Sequence, residues 1–521
     1  MLIDSSYRET AVFGSLFWKE IREHLMTFRF GAALITTFVL VIVSVWVLGE
    51  DFVVRNNNFN RMSESFSEEN GKVYVPSQIA PVVLRPLSPL SIFAKGEDEH
   101  LGNAVRISRW SVPMDADDYL TVNELLHSIP SFDLLTIFVF AISLFGILLS
   151  YDSICGERER GTLKMLCSNT TKRGVIFTAK FAGGAVILAV PFLLSLISAL
   201  LVLQFVHGIR FSATQWTAIS LITVLGLLYG AVFIGLGMIC SALASRSSVA
   251  LALALLLWTL GVILIPSAGN SVASMIIPLE STAGISKFVQ ESSSEIESKK
   301  SEFITENNLD LSSDGSSGIG GEQPYWFDGQ LEWLLDHMKY IGFYEQLYQE
   351  QADQLWKLYQ GYLARKTEQY KLGSLLKLIS PAHLLRHSVT ALAYTDYATH
   401  ADFLEHCRRY RQAILDDFRN KGLFDRNIHR FFTRWEMSDF ASEEMIEQRA
   451  QERQRREEAG DEYAGRIEGF GPLPHDYIPE FDYSGGGPNF EESIQPLALL
   501  ALMIIGVFAL GFAAFIRYDV R

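Results

Sequence analysis

Cysteine is scarce in this chain, with four in 521 residues. Cys155 and Cys167 share one polar stretch, Cys240 lies in an apolar run and Cys407 stands apart. A disulfide-stapled secreted scaffold is excluded, and all four read as small buried or inert side chains. A phosphate-binding loop is also missing. Gly161-Thr162-Leu163-Lys164 has a passing likeness to one, but no glycine-rich turn leads into Gly-Lys-Ser/Thr and no soluble strand precedes it. The chain is therefore not expected to hydrolyse ATP by that route. Ionisable residues are almost absent from the long apolar runs. That argues against a transporter driven by protons or sodium, because a charge held near mid-bilayer is costly unless paired or used. No nucleophile and base stand at a recognisable catalytic spacing. Energy for any work must come from elsewhere.

What is abundant is apolar sequence, 49% of residues, with a mean hydropathy of +0.17. It is concentrated in runs at 30–49, 132–150, 181–206, 218–243, 249–269 and 494–516. Each is long enough to cross a bilayer. The fold class is thus an α-helical polytopic membrane protein with six transmembrane helices. The formal charge of −15 falls almost entirely in residues 270–493, so it describes one solvent-facing domain. Lys and Arg crowd the N-terminal segment (Arg8, Lys19, Arg22, Arg29), the stretch 151–180, the turn at Arg246, and the end (Arg517, Arg521). Six spans place all four groups on one side, which the positive-inside rule makes the cytoplasm. The first run is too long and too far in for a cleaved signal peptide.

The expected organisation is then a cytoplasmic elbow helix at 1–29, a span at 30–49, an extracytoplasmic segment at 50–131, and a span at 132–150. A cytoplasmic loop at 151–180, three spans within 181–269, a mostly helical extracytoplasmic domain at 270–493, a span at 494–516 and a cytoplasmic tail at 517–521 complete it. In residues 7–30, Phe13, Phe17, Trp18, Ile21 and Leu25 recur at helical steps between charged residues, an amphipathic helix leading into a span. Within 50–131, Val73–Val75 and Val82–Leu84 are short β-like runs among prolines, predicting a small extended module. Pro191 is expected to kink the third span. Gly226 and Gly230 let the fourth approach a neighbour closely, in this chain or in a second copy.

In the large polar domain, 291–323 reads as loosely ordered and 331–372 as one or two long amphipathic helices lined with aromatics that serve as core. Two further helices at 382–420, a charged helix at 440–459 and a Pro/Gly/Tyr-rich tether at 470–490 follow. Asp396 reads as a helix cap. His383 and His387 have chelating spacing but no third ligand at motif spacing, so they and His400 and His406 read as solvated or capping.

The most informative stretch is Tyr151 to Lys180, a polar island between two spans. On a helix begun near Asp152, Ile154, Arg158 and Leu163 fall on different sides from Glu157, Arg160 and Lys164. A charged helix tethered to the membrane at both ends is a lever, since whatever pushes it moves both adjoining spans. The run Glu157-Arg158-Glu159-Arg160-Gly161-Thr162-Leu163-Lys164-Met165-Leu166-Cys167-Ser168 resembles the coupling-helix signature of the type-2 ATP-binding-cassette (ABC) exporter permeases, with Arg173 and Lys180 in the places of its later basic residues. Thr170 stands where that family has a proline. Ser380-Pro381, Leu392-Ala393-Tyr394-Thr395-Asp396, His400 and Tyr410-Arg411 resemble a subfamily with a large external insertion before the last span.

The resemblance implies a permease subunit in a bacterial cytoplasmic (inner) membrane, both termini cytoplasmic, paired with a second permease protomer in a homo- or heterodimer. Export of a substrate would be driven by ATP hydrolysed in a separate cytoplasmic P-loop ATPase subunit, so the chain itself is not expected to be an enzyme. Glu157, Arg158, Glu159, Arg160, Gly161, Thr162, Leu163 and Leu166 would couple to that subunit. No cofactor, metal or nucleic acid is implied. An alternative is a non-transporting ABC subunit that transmits ATP-driven motion to its external domain. A membrane-anchored hydrolase is the third reading, and no motif supports it.

Overall fold

Among the described residues, six helices are long and apolar enough to cross a membrane: Phe28–Phe66, Leu134–Glu159, Arg173–Phe205, Ala213–Leu243, Ser247–Ile276 and Phe490–Arg517. Each corresponds to one of the six apolar runs. The computed structural model describes residues 2–70, 79–96, 101–118, 133–168, 172–279, 283–309, 311, 316–318, 326–328, 331–420, 443–460, 466–468, 478–483, 485 and 487–517. Val73–Val75 lie outside them. The chain begins with α1 (Leu2–Leu25) and α2 (Phe28–Asn70), then passes through the strands β1 (Val82–Leu84) and β2 (Ala104–Arg106) to α3 (Leu134–Ser150). Two short helices follow, α4 (Cys155–Glu159) and α5 (Thr162–Ser168), and then α6 (Arg173–Phe205) and α7 (Ala213–Leu243).

α7 is the centre of the bundle, packed against α3, α6 and the last helix, α15 (Phe490–Arg517). It starts at a capping box, Ser212 and Gln215 each bonding the other's backbone. Its glycines let these helices approach. A Cβ on Gly226 would lie 2.6 Å from Phe192, and one on Gly230 2.9 Å from Leu188 and 3.0 Å from Ile142. The small-residue face therefore packs within this chain. One at Gly237 would run into the Ser150 hydroxyl. Tyr229, wholly buried, donates to the Val139 carbonyl at 2.9 Å. α6 continues through Pro191 without a break in its helical assignment.

The fifth span consists of α8 (Ser247–Trp258), a π-helical turn (Thr259–Leu264) and α9 (Ile265–Ile276). Pro266 explains the wide turn. It has no N–H for the Val262 carbonyl and its ring crowds that carbonyl, so the Ile265 N–H reaches back to Leu260 instead.

The polar part has two portions. α10 (Ala283–Glu306) and α11 (Leu331–Lys377) form a long hairpin, closed by stacking of Phe303 on Phe343 at 4.0 Å and a Gln351–Ser292 hydrogen bond of 2.6 Å. β3 (Ser316–Gly318), β4 (Trp326–Asp328) and β5 (Arg466–Glu468) make an antiparallel sheet in that order. The second portion is a small core where β1 and β2, paired Val82↔Arg106 to Leu84↔Ala104, meet α13 (Tyr397–Asn420). Val83, Val105, Ile107, Phe403, Cys407 and Phe418 fill it, with Phe481 and Tyr483 against them. α14 (Glu443–Glu458) is the charged helix expected at 440–459.

Several expectations need correction. The helix that carries the first span does not stop at 49, because the polar residues after the apolar run continue it to Asn70. Residues 291–306, expected to be loose, are helical because their apolar face packs on α11. The segment 382–420 is two helices, but α12 (Pro381–Ala393) does not share the polar domain's core. Its Leu384, Leu385, Val389 and Leu392 join the core of the membrane bundle. Asp396 does cap α13, accepting from the Thr399 N–H and hydroxyl. His400 is buried rather than solvated, 3.8 Å from the Asp115 carboxylate, and His383 and His387 are half-buried and stacked.

Candidate functional site

The island carries a tight block of four charges, Glu157 to Arg160, and it folds as two short helices rather than one. Gly161 adopts φ +73, a left-handed conformation that glycine enters without the Cβ penalty, and this ends α4 and turns the chain into α5. The Thr162 hydroxyl donates back to the Glu157 carbonyl at 3.2 Å, holding the corner.

The four charges then divide. Glu157, expected on a different side of the helix from Ile154 and Leu163, is buried as they are, at 4% exposed. Its Oε1 accepts from Lys180 Nζ on α6 at 2.9 Å, and the same ammonium donates to Glu20 Oε1 of α1 at 2.7 Å. Lys19 adds a longer contact to Glu157, 3.4 Å. A lysine between two carboxylates is a neutralised and hydrogen-bonded way to keep charge out of water. It ties α1, α4 and α6 together at one point. Glu23 brings a third carboxylate close to Glu20 and Glu157, and Lys180 and Lys19 pair with all three.

Arg158 and Glu159 address the next turn. Arg158 donates to the carbonyls of Ala244 and Ala242, at 3.0 and 3.4 Å, where the end of α7 has spare acceptors. Glu159 accepts from the Ser247 N–H at 2.9 Å and the Ser247 hydroxyl at 2.7 Å, capping the start of α8. A cation thus sits at a helix C-terminus and an anion at a helix N-terminus, each matching the local dipole. Ser241 returns the favour by accepting from the N–H groups of Ile154 and Cys155, at 2.9 and 3.0 Å. Further back, Arg29 of α2 pairs with Asp152 at 2.8 Å and lies over the Tyr151 ring.

Of the eight residues singled out in the sequence, Glu159, Arg160, Gly161 and Thr162 are exposed, and Met165 beside them is 75% exposed. Arg158 and Leu166 are half-buried, while Glu157 and Leu163 are buried. The outward face is therefore a narrow strip across the α4–α5 corner. Sequence reasoning missed Glu20, Ser241 and Ser247. Only Ser247 carried a signal, lying beside Arg246 in the short turn that topology puts on the island's side.

The geometry is that of a polar segment gripped by the ends of several membrane helices. The family model described as "ABC-2 family transporter protein" matches residues 15–520. A probable ABC transporter permease protein NosY from Stutzerimonas stutzeri is 34% identical over 125 residues, covering 24% of this chain and 45% of the relative. Its namesake from Pseudomonas aeruginosa is 37% identical over 126 residues, 24% of this chain and 46% of the relative. The matches span a little under half the length of those relatives. Matched by the family model over nearly its whole length, this multi-pass membrane chain belongs to the ABC-2 family of transporter proteins.

Proposed function

We propose that this chain is the membrane-spanning permease subunit of an ABC transporter in which a separate cytoplasmic P-loop ATPase docks on the 157–168 segment and powers export. The observation that carries the reading is the grip of Arg158 and Glu159 on the two ends of the α7–α8 turn. A push on the exposed strip is delivered to the fourth and fifth spans together, while Glu157, through Lys180, delivers it to α6 and α1. Glu157 and Leu163 act in this scheme as positioning residues. Arg160, Gly161, Thr162 and Met165 form the docking face beside the Glu159 cap, where charge complementarity sets register and partner choice more than raw affinity. Both termini and the island lie in the cytoplasm, and a second permease protomer completes the assembly.

The test is purification from native membranes in mild detergent with identification of what accompanies the chain. A stoichiometric P-loop ATPase is expected. Arg160→Glu combined with Met165→Glu, both on exposed positions, should release it while the chain stays inserted and folded. Retention of the ATPase by that variant would move the docking face elsewhere.

A second reading, motion transmitted to the polar domain without transport, draws support from the fifth span. It is capped by Glu159 at one end and packed on α11 at the other, where Lys377 Nζ meets Asn270 Oδ1 at 2.7 Å and Gln369 meets the Ile277 carbonyl at 2.8 Å. Uptake of a labelled compound into inverted vesicles separates the two readings.

A further inference from the structure

α4 has no cap of its own. Ile154, just before it, makes no side-chain cap bond, and the N–H groups at a helix start need an acceptor. The acceptor comes from the fourth span. Ser241 Oγ takes the Ile154 N–H at 2.9 Å and the Cys155 N–H at 3.0 Å, and its own proton goes to Cys155 Sγ at 3.3 Å. Ser241 and Cys155 are both wholly buried, so the bonds are costly to leave unmade. One turn earlier on the same face of α7, Gly237 admits Ser150, the last residue of α3, so closely that a Cβ would strike its hydroxyl. A missing side chain at 237 and a fixed acceptor at 241 seat the chain from Ser150 to Cys155 on α7 in one position.

We propose that Ser241 is the positioning residue about which the 157–168 segment turns, an inference that rests on that segment being where the ATPase docks. Its place relative to the two grips is what gives it this role. Arg158 and Glu159 lie three and four residues beyond Cys155, about 5 Å along the helix axis. They hold the carbonyls at the end of α7 and the cap of α8. The exposed strip at Arg160 and Met165 lies farther out still. A push there is resisted at the near end by Ser241, so the segment rotates instead of sliding. Rotation about a point on α7 changes the separation of α7 from Ser247, and the load enters the turn at 244–247 and the fifth span. Without the anchor, the same push shifts the segment sideways and carries both ends of the turn along with little relative motion. Cys155 joins anchor and grip, for its Sγ also lies 3.6 Å from the Ser247 hydroxyl that Glu159 holds.

Ser241→Ala removes the acceptor and Ser241→Thr keeps it. In the full chain reconstituted into phosphatidylethanolamine–phosphatidylglycerol vesicles, hydrogen exchange of the peptide from Tyr151 to Arg160 measures the anchor. It should rise about tenfold in Ser241→Ala, the step expected for loss of a buried hydrogen bond, and fall back in Ser241→Thr. Equal exchange in all three chains would overturn the inference, because something else would then seat the segment. The second measurement uses the complex with the co-purified ATPase. Ser241→Ala should keep the ATPase, since the exposed strip is untouched, but lose the difference in α11 exchange between ATP- and ADP-bound forms. Ser241→Thr should restore that difference. A serine with a merely structural role would lower thermal stability and leave the difference intact, which would also overturn the inference. If the unsubstituted chain brings down no ATPase, the permease reading fails and takes the coupling role with it, whereas exchange at 151–160 answers for the anchor alone.

Discussion

Lys180 carries the interaction on which the island's position depends. Its side chain is 4% exposed and its ammonium is shared by Glu20 and Glu157, so removing it leaves Glu20 buried without this cation and Glu157 with only the longer contact to Lys19. Lys180→Met is expected to cost about 3–5 kcal/mol, as for other broken buried ion pairs. Glu157→Gln leaves Lys180 still paired with Glu20 and should cost less, about 1–3 kcal/mol. Thermal unfolding of the detergent-solubilised variants measures the difference, and equal losses would contradict the shared-lysine geometry. Cys407 gives a second residue-scale expectation. Burial in the small core pushes its thiol up to about 12. Only a trace of thiolate forms near pH 8, and reactivity should climb only as pH approaches that value. Peptide mapping after maleimide treatment should find Cys407 unmodified in the folded chain at pH 8 and modified after denaturation. Rapid labelling of the folded chain would mean that this core opens.

At the scale of the element, the long helix α11 is braced from the side. Arg109, from the segment after β2, pairs with Glu345 at 3.0 Å, both nearly inaccessible, and Trp110 lies against Tyr344 and Tyr348. Arg109→Met leaves the Glu345 carboxylate buried without this cation, so hydrogen exchange should rise around residues 340–350 while the bundle helices stay protected. Unchanged exchange there would show that the hairpin with α10 alone holds the helix. Elements differ in how far they can be read from sequence, for a physical reason. The six spans follow from apolar runs because lipid imposes length and composition on each helix separately. α12 could not be placed that way. Its apolar face is as consistent with a polar domain's core as with the bundle, and the packing of Leu384, Leu385, Val389 and Leu392 among the span residues decides. The helical extension of α2 to Asn70 was hidden because nothing apolar marks it. At the island, residue types and order singled out the stretch 151–180. The burial of Glu157 did not follow, since its partner Glu20 is remote in sequence and on a helix of its own.

Across the whole molecule, the fifth span is the direct line between the island and the polar domain. Glu159 and Ser247 form its first joint, the π turn gripped by Ser380 its second, and the packing of α9 on α11 its third. The first joint is an exposed charged cap, while the second and third are polar contacts against apolar surroundings that hold one register rather than a continuum of positions. If ATP-driven motion travels this way, weakening the first joint should silence the last without dissolving the assembly. In a complex with the proposed ATPase, Glu159→Gln combined with Ser247→Ala removes the charged cap and its hydroxyl partner but leaves Arg160, Thr162 and Met165 on the proposed docking face. Binding of the ATPase should persist, and the difference in α11 hydrogen exchange between ATP- and ADP-bound complexes should collapse. A difference that survives the double substitution would route the motion through Glu157, Lys180 and α6. Lys180→Met, tested the same way, would then be the variant that abolishes it.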